Sequence, residues 1–391
     1  MTNQNFDAFV SRAIEKWDLE FEQTLQHARS DISLASGLSG YLMLESALYQ
    51  QAPAPARKER IHMLFQFIVE GLESRPQQAG LWTGLLGPLY VFEYIRRTDQ
   101  ALVPEEVAEF IDSMDDHLIA ATKQAPERMH FDLIVGLCGF GAYALMRTDA
   151  EAGRRIYAAV EQALAVRAER REDGLTWLTP VRFAGVDLRH MGDHIDFGVA
   201  HGVAGIIGMI AGAIRADLHT VRSKDMLAQA IRCLRGHALP EHKISTFSTM
   251  SHYPEQSSRA AWCYGDLGIG CALLLASEAL NDPAQKTFAE HVLRKRCSSS
   301  AEKLMVFDSG LCHGHAGNWR MGQRIAARAA IDEVDSMTAH CIATILGRDL
   351  ALQVHEGSPN FLEGQSGALM ALVSAGWNED RPWDTCMNFG F

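Results

Sequence analysis

Two cysteines and a histidine stand where a metal ion could be held. Cys263 and Cys312 each lie two residues before the first glycine of a Gly-x-x-Gly element, and His313 directly follows the second cysteine. Thiolate and imidazole are borderline-soft donors suited to Zn²⁺. Three protein ligands would leave a fourth tetrahedral position open, the arrangement of a catalytic zinc rather than a structural clip. The competing reading is two packed cysteines beside an incidental histidine, because buried cysteine commonly behaves as a small hydrophobe. Other residues extend the chemistry. His201 takes the place of His313 in another such element, Asp132 lies four residues before a further first glycine, and Arg259 lies four before Cys263. Singly, these read as a satisfied imidazole, a helix N-cap and a solvated charge. Around one metal they become an acid–base set.

Such distant residues need a scaffold, and the chain carries one as an internal repeat. A Gly-x-x-Gly followed by an apolar run opens at Gly37, Gly84, Gly136, Gly202, Gly265, Gly314 and Gly364, at intervals of 47 to 66 residues. Between these runs lie amphipathic segments at 6–27, 60–73, 105–123, 154–170, 224–236, 284–296 and 332–346. In 105–123, for instance, Val107, Phe110, Ile111, Met114 and Leu118 recur at helical spacing among acids. Val, Ile and Thr are not gathered into alternating runs bounded by hairpin turns, so the fold class is all-α. Seven apolar helices alternating with seven amphipathic ones predict an α/α toroid, a double ring with the apolar set inside. All seven glycine loops then emerge at one end, where small residues let the helix starts crowd around a single mouth. An open helical solenoid would string the loops along a ridge instead. The reading is one domain over 1–391, with a short irregular excursion around 168–196.

In a ring, equivalent repeat positions occupy equivalent places around the mouth. The column before the first glycine reads Ser36, Thr83, Val135, His201, Tyr264, His313, Glu363; the column before that reads Ala35, Trp82, Ile134, Ala200, Cys263, Cys312, Leu362. Cysteine occupies the second column only in the fifth and sixth repeats, which are ring neighbours. The shared column favours the metal over incidental packing. A second cluster, His190, Asp193, His194 and Asp196, is better explained by loop composition. Gly139-Phe140-Gly141 and Gly268-Ile269-Gly270 complete no nucleotide fingerprint, and neither a glycosidase carboxylate pair nor a Gly-x-Ser-x-Gly elbow is evident.

With 36 Lys+Arg against 48 Asp+Glu, the formal charge is −12, which argues against nucleic acid as a partner. The composition, 47% hydrophobic and 21% charged, is that of a soluble globular protein. The longest apolar stretch, 202–214, is too short to span a bilayer, and the N-terminus lacks the pattern of a signal peptide. Eight dilute cysteines fit a reduced, cytoplasmic compartment.

The strings AHGVAG (200–205), RAAWCYG (259–265) and CHGHAG (312–317), with the seven Gly-x-x-Gly elements, resemble the lanthionine synthetase C-like family, in particular its bacterial lanthipeptide cyclases, over essentially the whole chain. The resemblance implies a Zn²⁺ ion at the mouth of the toroid, held by Cys263, Cys312 and His313. It implies a dehydrated precursor peptide as substrate, whose cysteine thiolate adds to the β-carbon of a dehydroalanine or dehydrobutyrine to close a thioether ring. The enolate left behind must be protonated. His201 matches the family's candidate acid, Asp132 its orienting partner, and Arg259 and Tyr264 further active-site positions. A separate dehydratase must make the substrate, and a complex of dehydratase and exporter is an implied partner. Two alternatives stand beside this reading: a relative that adds glutathione to dehydroamino acids in other proteins, and a non-enzymatic zinc-bearing scaffold. Tyr264 favours the bacterial cyclases, since glutathione-binding relatives tend to carry histidine there. The chain departs from the family in reading Gly-Asp-Leu-Gly at 265–268, where many relatives have Gly-x-Pro-Gly, and in the short excursion at 168–196.

Overall fold

The structure is a computed structural model that describes residues 3–74, 78–124, 129–183, 192–347, 358–375, 377 and 382–389. Each apolar run forms an inner helix: α2 (Leu38–Gln51), α4 (Leu86–Thr98), α6 (Leu137–Met146), α8 (Val203–Arg215), α10 (Asp266–Leu280), α13 (His315–Ala326) and α15 (Gln365–Val373). The amphipathic segments form the outer helices α1 (Asn3–Ala28), α3 (Pro55–Ser74), α5 (Glu105–Gln124), α7 (Ala150–Arg167), α9 (Ser223–Gly236), α11 (Pro283–Cys297) and α14 (Asp332–Leu346); a single turn, α12 (Ala301–Leu304), precedes α13. An inner helix is covered on every side, and its composition follows: every residue of α6 is buried.

Each inner helix packs on the next, and α15 packs on α2, so the ring closes. This is the toroid that the repeat predicts, and closure excludes the solenoid. Each of the first six inner helices packs on the outer helix that follows it, whereas α15 packs on α1 from the other end of the chain. The join is specific: Trp17 Nε1 of α1 donates to Glu45 Oε1 of α2 at 2.7 Å, and Arg57 of α3 pairs with the same carboxylate at 3.0 Å. Glu45 is thus buried with its partners, as a carboxylate must be.

The column alignment is physically present as a ring of backbone hydrogen bonds. The amides of Ala35 and Trp82 donate to the carbonyls of Trp82 and Ile134; Leu133 donates to Ala200, Ala200 to Cys263, Cys263 to Cys312, Cys312 to Leu362, and Leu362 to Ala35. One loop per repeat therefore meets its neighbours edge to edge around the mouth. This close folding is what demands glycine. A Cβ on Gly265 would stand 2.0 Å from the Arg259 carbonyl, and one on Gly268 would stand 2.3 Å from the Trp262 carbonyl. The Gly-Asp-Leu-Gly departure leaves the Cys263 loop in this ring. Its Asp266 is buried and accepts the amide of Phe247 at 3.0 Å, with a second bond from Thr246.

The excursion differs from a wholly irregular loop. Helix α7 ends at Arg167 rather than 170, and two short antiparallel ladders follow: β1 (Glu169–Arg171) with β2 (Gly174–Thr176), and β3 (Leu178–Thr179) with β4 (His194–Ile195). Strands of two or three residues are too short to show an alternating pattern, which is why the sequence conceals them. Residues 184–191, including His190, lie outside the described residues. Among the described residues, no helix is long and apolar enough to cross a membrane.

A segment that sequence patterning did not single out fills the ring. Residues Trp383–Met387 form a buried 3₁₀ turn. Tyr90 of α4 donates to the Trp383 carbonyl at 3.0 Å, Trp262 Nε1 donates to the Met387 carbonyl at 2.8 Å, and Asn388 Nδ2 donates to the Gly205 carbonyl at 3.0 Å. Asp384, fully buried, takes Arg320 Nε at 2.7 Å and Arg324 NH2 at 2.7 Å, both from α13. Burial pushes this carboxyl up, but the two guanidiniums outweigh it and hold its pKa at about 2. Asp384→Asn should destabilise the fold by about 3 kcal/mol near neutral pH, because it leaves two buried cations without a counter-charge. The folded pKa is depressed below the unfolded value of about 3.9, so the pairing contributes fully above about pH 4 and is lost as pH falls toward about 2. Denaturant titrations of wild type and variant should therefore converge over that interval; a constant gap would count against the pair.

Candidate functional site

The ring brings the chemistry-bearing columns to one mouth. Cys263, Cys312 and one ring nitrogen of His313 all lie within 4.8 Å of one another. Both thiols are nearly covered, at 5% and 7% exposure. A hydrogen bond from the Cys312 thiol outweighs burial and draws Cys263 well below the usual thiol range, with His313 and Arg259 adding to the effect; Cys312, holding the shared proton, is pushed well up. Hydrogen bonding to Cys263 raises the His313 imidazole against its burial. Arg259 NH2 reaches Cys263 Sγ at 3.9 Å. Beside His313 and Arg259 the thiol pair sits in an electropositive setting, which favours the thiolate form that a metal ligand needs.

The donor set fits a zinc ion by its second contacts as well. His313 Nε2 lies 3.3 Å from Asp308 Oδ2, while the buried Nδ1 lies 4.0 Å from Glu363 Oε1. A carboxylate held against one ring nitrogen is the arrangement that orients a metal-ligating histidine through the other. Sequence reasoning missed Asp308. It stands six residues before Gly314, and the corresponding column reads Asp31, Gln78, His130, Asp196, Arg259, Asp308, Ser358. Its carbonyl accepts the amide of His315 at 2.8 Å, as that of Asp196 accepts Val203 at 2.9 Å, so the column folds back over the helix starts. That third column would have pointed to the polar residues just beneath the mouth.

His201 and Asp132, from the fourth and third repeats, meet there. His201 Nδ1 and Asp132 Oδ2 are 2.6 Å apart; the carboxylate is buried, and the imidazole is 40% exposed. Asp132 Oδ1 accepts the amide of Val135 at 2.9 Å, and its own amide donates to His130 Nδ1 at 3.0 Å. Burial would push the Asp132 carboxyl up, but the imidazoles of His130 and His201 outweigh burial and hold it well below the usual carboxylate range. The Asp132 carboxylate, held ionised, can only accept, so His201 Nδ1 donates to it. On His201, burial acts downward and the Asp132 hydrogen bond upward, and the net shift is up. With Nδ1 engaged by Asp132, Nε2 is the nitrogen left for proton transfer.

Tyr264 stacks on the His201 ring, centroids 5.9 Å apart, and its hydroxyl donates to Asp196 Oδ2 at 2.9 Å. Burial and the Asp196 carboxylate keep this phenol protonated, far above its ordinary range. Asp196, buried, thus belongs to the mouth rather than to a second metal cluster. Of its supposed companions, Asp193 accepts the amide of Val181 at 2.8 Å, and His194 packs on His252 with centroids 5.4 Å apart. The seven residues singled out from sequence, Cys263, Cys312, His313, His201, Asp132, Arg259 and Tyr264, are brought together at this end of the ring; Asp308, Asp196 and His130 join them.

The comparisons agree with this architecture. Nisin biosynthesis protein NisC of Lactococcus lactis subsp. lactis is 21% identical over 402 aligned residues, covering 95% of this chain and 92% of that protein. The solved structure of a nisin cyclase superposes with a TM-score of 0.78 at 19% identity, covering 99% of this chain and 98% of that one. Residues 29–387 match the family described as lanthionine synthetase C-like protein, and with its seven-fold ring closed around that span, the chain belongs to this family.

Proposed function

We propose that the chain is a zinc-dependent lanthipeptide cyclase, working as one domain on a dehydrated precursor peptide supplied by a separate dehydratase. The observation that carries this reading is the pairing, at one mouth, of a Cys263–Cys312–His313 donor set with the Asp132–His201 dyad. Zn²⁺, when bound by those three ligands, supplies a Lewis acid that favours the thiolate form of a substrate cysteine near neutral pH. The thiolate adds to the β-carbon of a dehydroalanine or dehydrobutyrine of the same peptide. The carbon–carbon double bond becomes a C–S bond and an enolate, and one proton must then reach the α-carbon. His201 is placed to deliver it. Asp132 fixes its tautomer and stabilises the charged ring, and Tyr264 holds the ring face while Asp196 holds Tyr264. Arg259 sets positive charge beside Cys263 and the mouth.

The deciding experiment is incubation with a dehydrated, cysteine-containing peptide followed by thiol alkylation. Cyclisation leaves the mass unchanged but removes the alkylatable thiols. Loss of thiols with time and enzyme dose is the expected result. If thiols persist while the protein transfers glutathione to the same dehydrated peptide, the intermolecular alternative replaces this reading; if neither reaction occurs in the zinc-loaded protein, the scaffold reading does.

Asp308→Asn should weaken zinc binding at the mouth by about 10- to 100-fold without unfolding the ring, since it removes the carboxylate behind His313 and leaves the three ligands. Competition with a chromophoric chelator measures it. An unchanged affinity would show that Asp308 does not orient the ligand.

A further inference from the structure

We propose that Asp173, Cys233 and His237 form a second divalent-cation site of the zinc class, on the outer wall of the ring and separate from the mouth. Their ligand atoms, one carboxylate oxygen, one thiol sulfur and one imidazole nitrogen, all lie within 4.8 Å of one another. Cys233 is in the last turn of α9 and His237 directly follows that helix, so the four-residue spacing sets both on one face. The end of a helix carries partial negative charge from its free carbonyls, and this favours a cation there.

Asp173 comes from a different element, the turn between β1 and β2, and the packing that delivers it is close. Gly174 has φ +146°, and a Cβ on it would stand 2.1 Å from the Gln229 carbonyl of α9; a Cβ on Gly236 would stand 2.8 Å from Asp173 Oδ2. Two glycines thus remove the side chains that would hold the carboxylate away from Cys233 and His237. The His237 ring packs on Phe197, centroids 5.1 Å apart, and its Nε2 is buried without a hydrogen-bond partner. A buried nitrogen without a partner is destabilising, and a ligand would relieve it. Cys233 is 1% exposed, whereas Asp173 is exposed, so the ion would enter from the Asp173 side and keep water as its remaining ligand. Arg171 is the cation facing the cluster, and Glu169 pairs with it at 3.0 Å.

The mixed oxygen, sulfur and nitrogen donor set matches a borderline-soft ion better than calcium or magnesium, which prefer oxygen ligands alone. Its place indicates a structural role. It would clip the β1–β2 hairpin to α9, and Phe197, against which His237 packs, follows Asp196 directly in the chain. The second site would therefore brace the loop that anchors Tyr264.

The test is metal stoichiometry in the whole chain, stripped with chelator and titrated with Zn²⁺ alone. Wild type should bind two equivalents. A Cys263→Ala, Cys312→Ala background should retain one, and adding Cys233→Ser should remove it, while circular dichroism checks that each variant is folded. Asp173→Asn, which changes an exposed residue and spares the core, should weaken the retained site by at least about tenfold. Co²⁺ added to the double-alanine background should give a thiolate-to-cobalt charge-transfer band that vanishes in Cys233→Ser. A folded double-alanine background that binds no Zn²⁺ overturns the proposal, as does a retained equivalent that ignores both Cys233→Ser and Asp173→Asn. Failure of the mouth assignment would look different: the wild type would lose no metal when Cys263 and Cys312 are replaced.

Discussion

His201→Asn is expected to close thioether rings about 10² to 10⁴ times more slowly than wild type while keeping its mouth metal, a loss of roughly 3 to 5 kcal/mol in barrier stabilisation. The expectation follows from the division of labour at the mouth. The Cys263, Cys312 and His313 donors come from two adjacent loops, and His201 comes from the loop before them, tied through Nδ1 to Asp132 rather than to either thiol. Removing the imidazole therefore takes away the proposed acid and leaves the proposed ligand set. Asparagine retains a polar group of similar reach for the Asp132 carboxylate, so the loop should hold its shape. Cyclisation rate and metal content, measured on the same preparation under conditions where chemistry limits turnover, separate the outcomes. A near-wild-type rate would pass the acid role to Tyr264 or a bound water. Loss of metal would make His201 part of the ligand shell instead.

Cys312→Ala is expected to lower zinc affinity at the mouth by more than about 100-fold, beyond the usual cost of losing an outer contact, and to lose cyclisation with it. The substitution removes a proposed ligand atom but spares the architecture. What Cys312 gives to the fold is chiefly its backbone: its carbonyl accepts the amides of Trp262 and Cys263, and its own amide donates to Leu362. Alanine makes the same bonds. The variant should therefore show the helical content of wild type and a modest loss of stability from the missing sulfur, while metal analysis reads a mouth site without ion. Full zinc retention at the mouth would refute the ligand assignment, and a collapse of helicity would mean that the thiol holds the ring together.

Much of this architecture is legible in the chain because a repeat is a local code. Seven Gly-x-x-Gly elements mark the helix starts, and the first glycine is the N-cap of six of the inner helices, Gly202 and Gly265 among them. Equivalent columns identify which side chains share the mouth, so Cys263, Cys312, His313 and His201 can be grouped without knowing any contact. The hidden parts have no repeat to announce them. Asp308 and Asp196 sit in a column whose members differ in type from loop to loop, and the short strands of the excursion are below the length at which periodicity can be seen.

The number of repeats, the inner and outer roles of the helices and the residues gathered at one end can all be read along the chain, because each depends on apolar spacing and on backbone room within a single repeat. Three-dimensional packing sets the rest: α1 covers α15, a carboxylate near the chain's end meets two arginines inside the ring, Asp308 backs His313 at Nε2, and a hairpin carries Asp173 to Cys233 and His237. These pairings join segments with no shared pattern. Their partners are chosen by which buried charge or unfilled space remains once the ring has closed, and that is a property of the packed whole rather than of any stretch of chain.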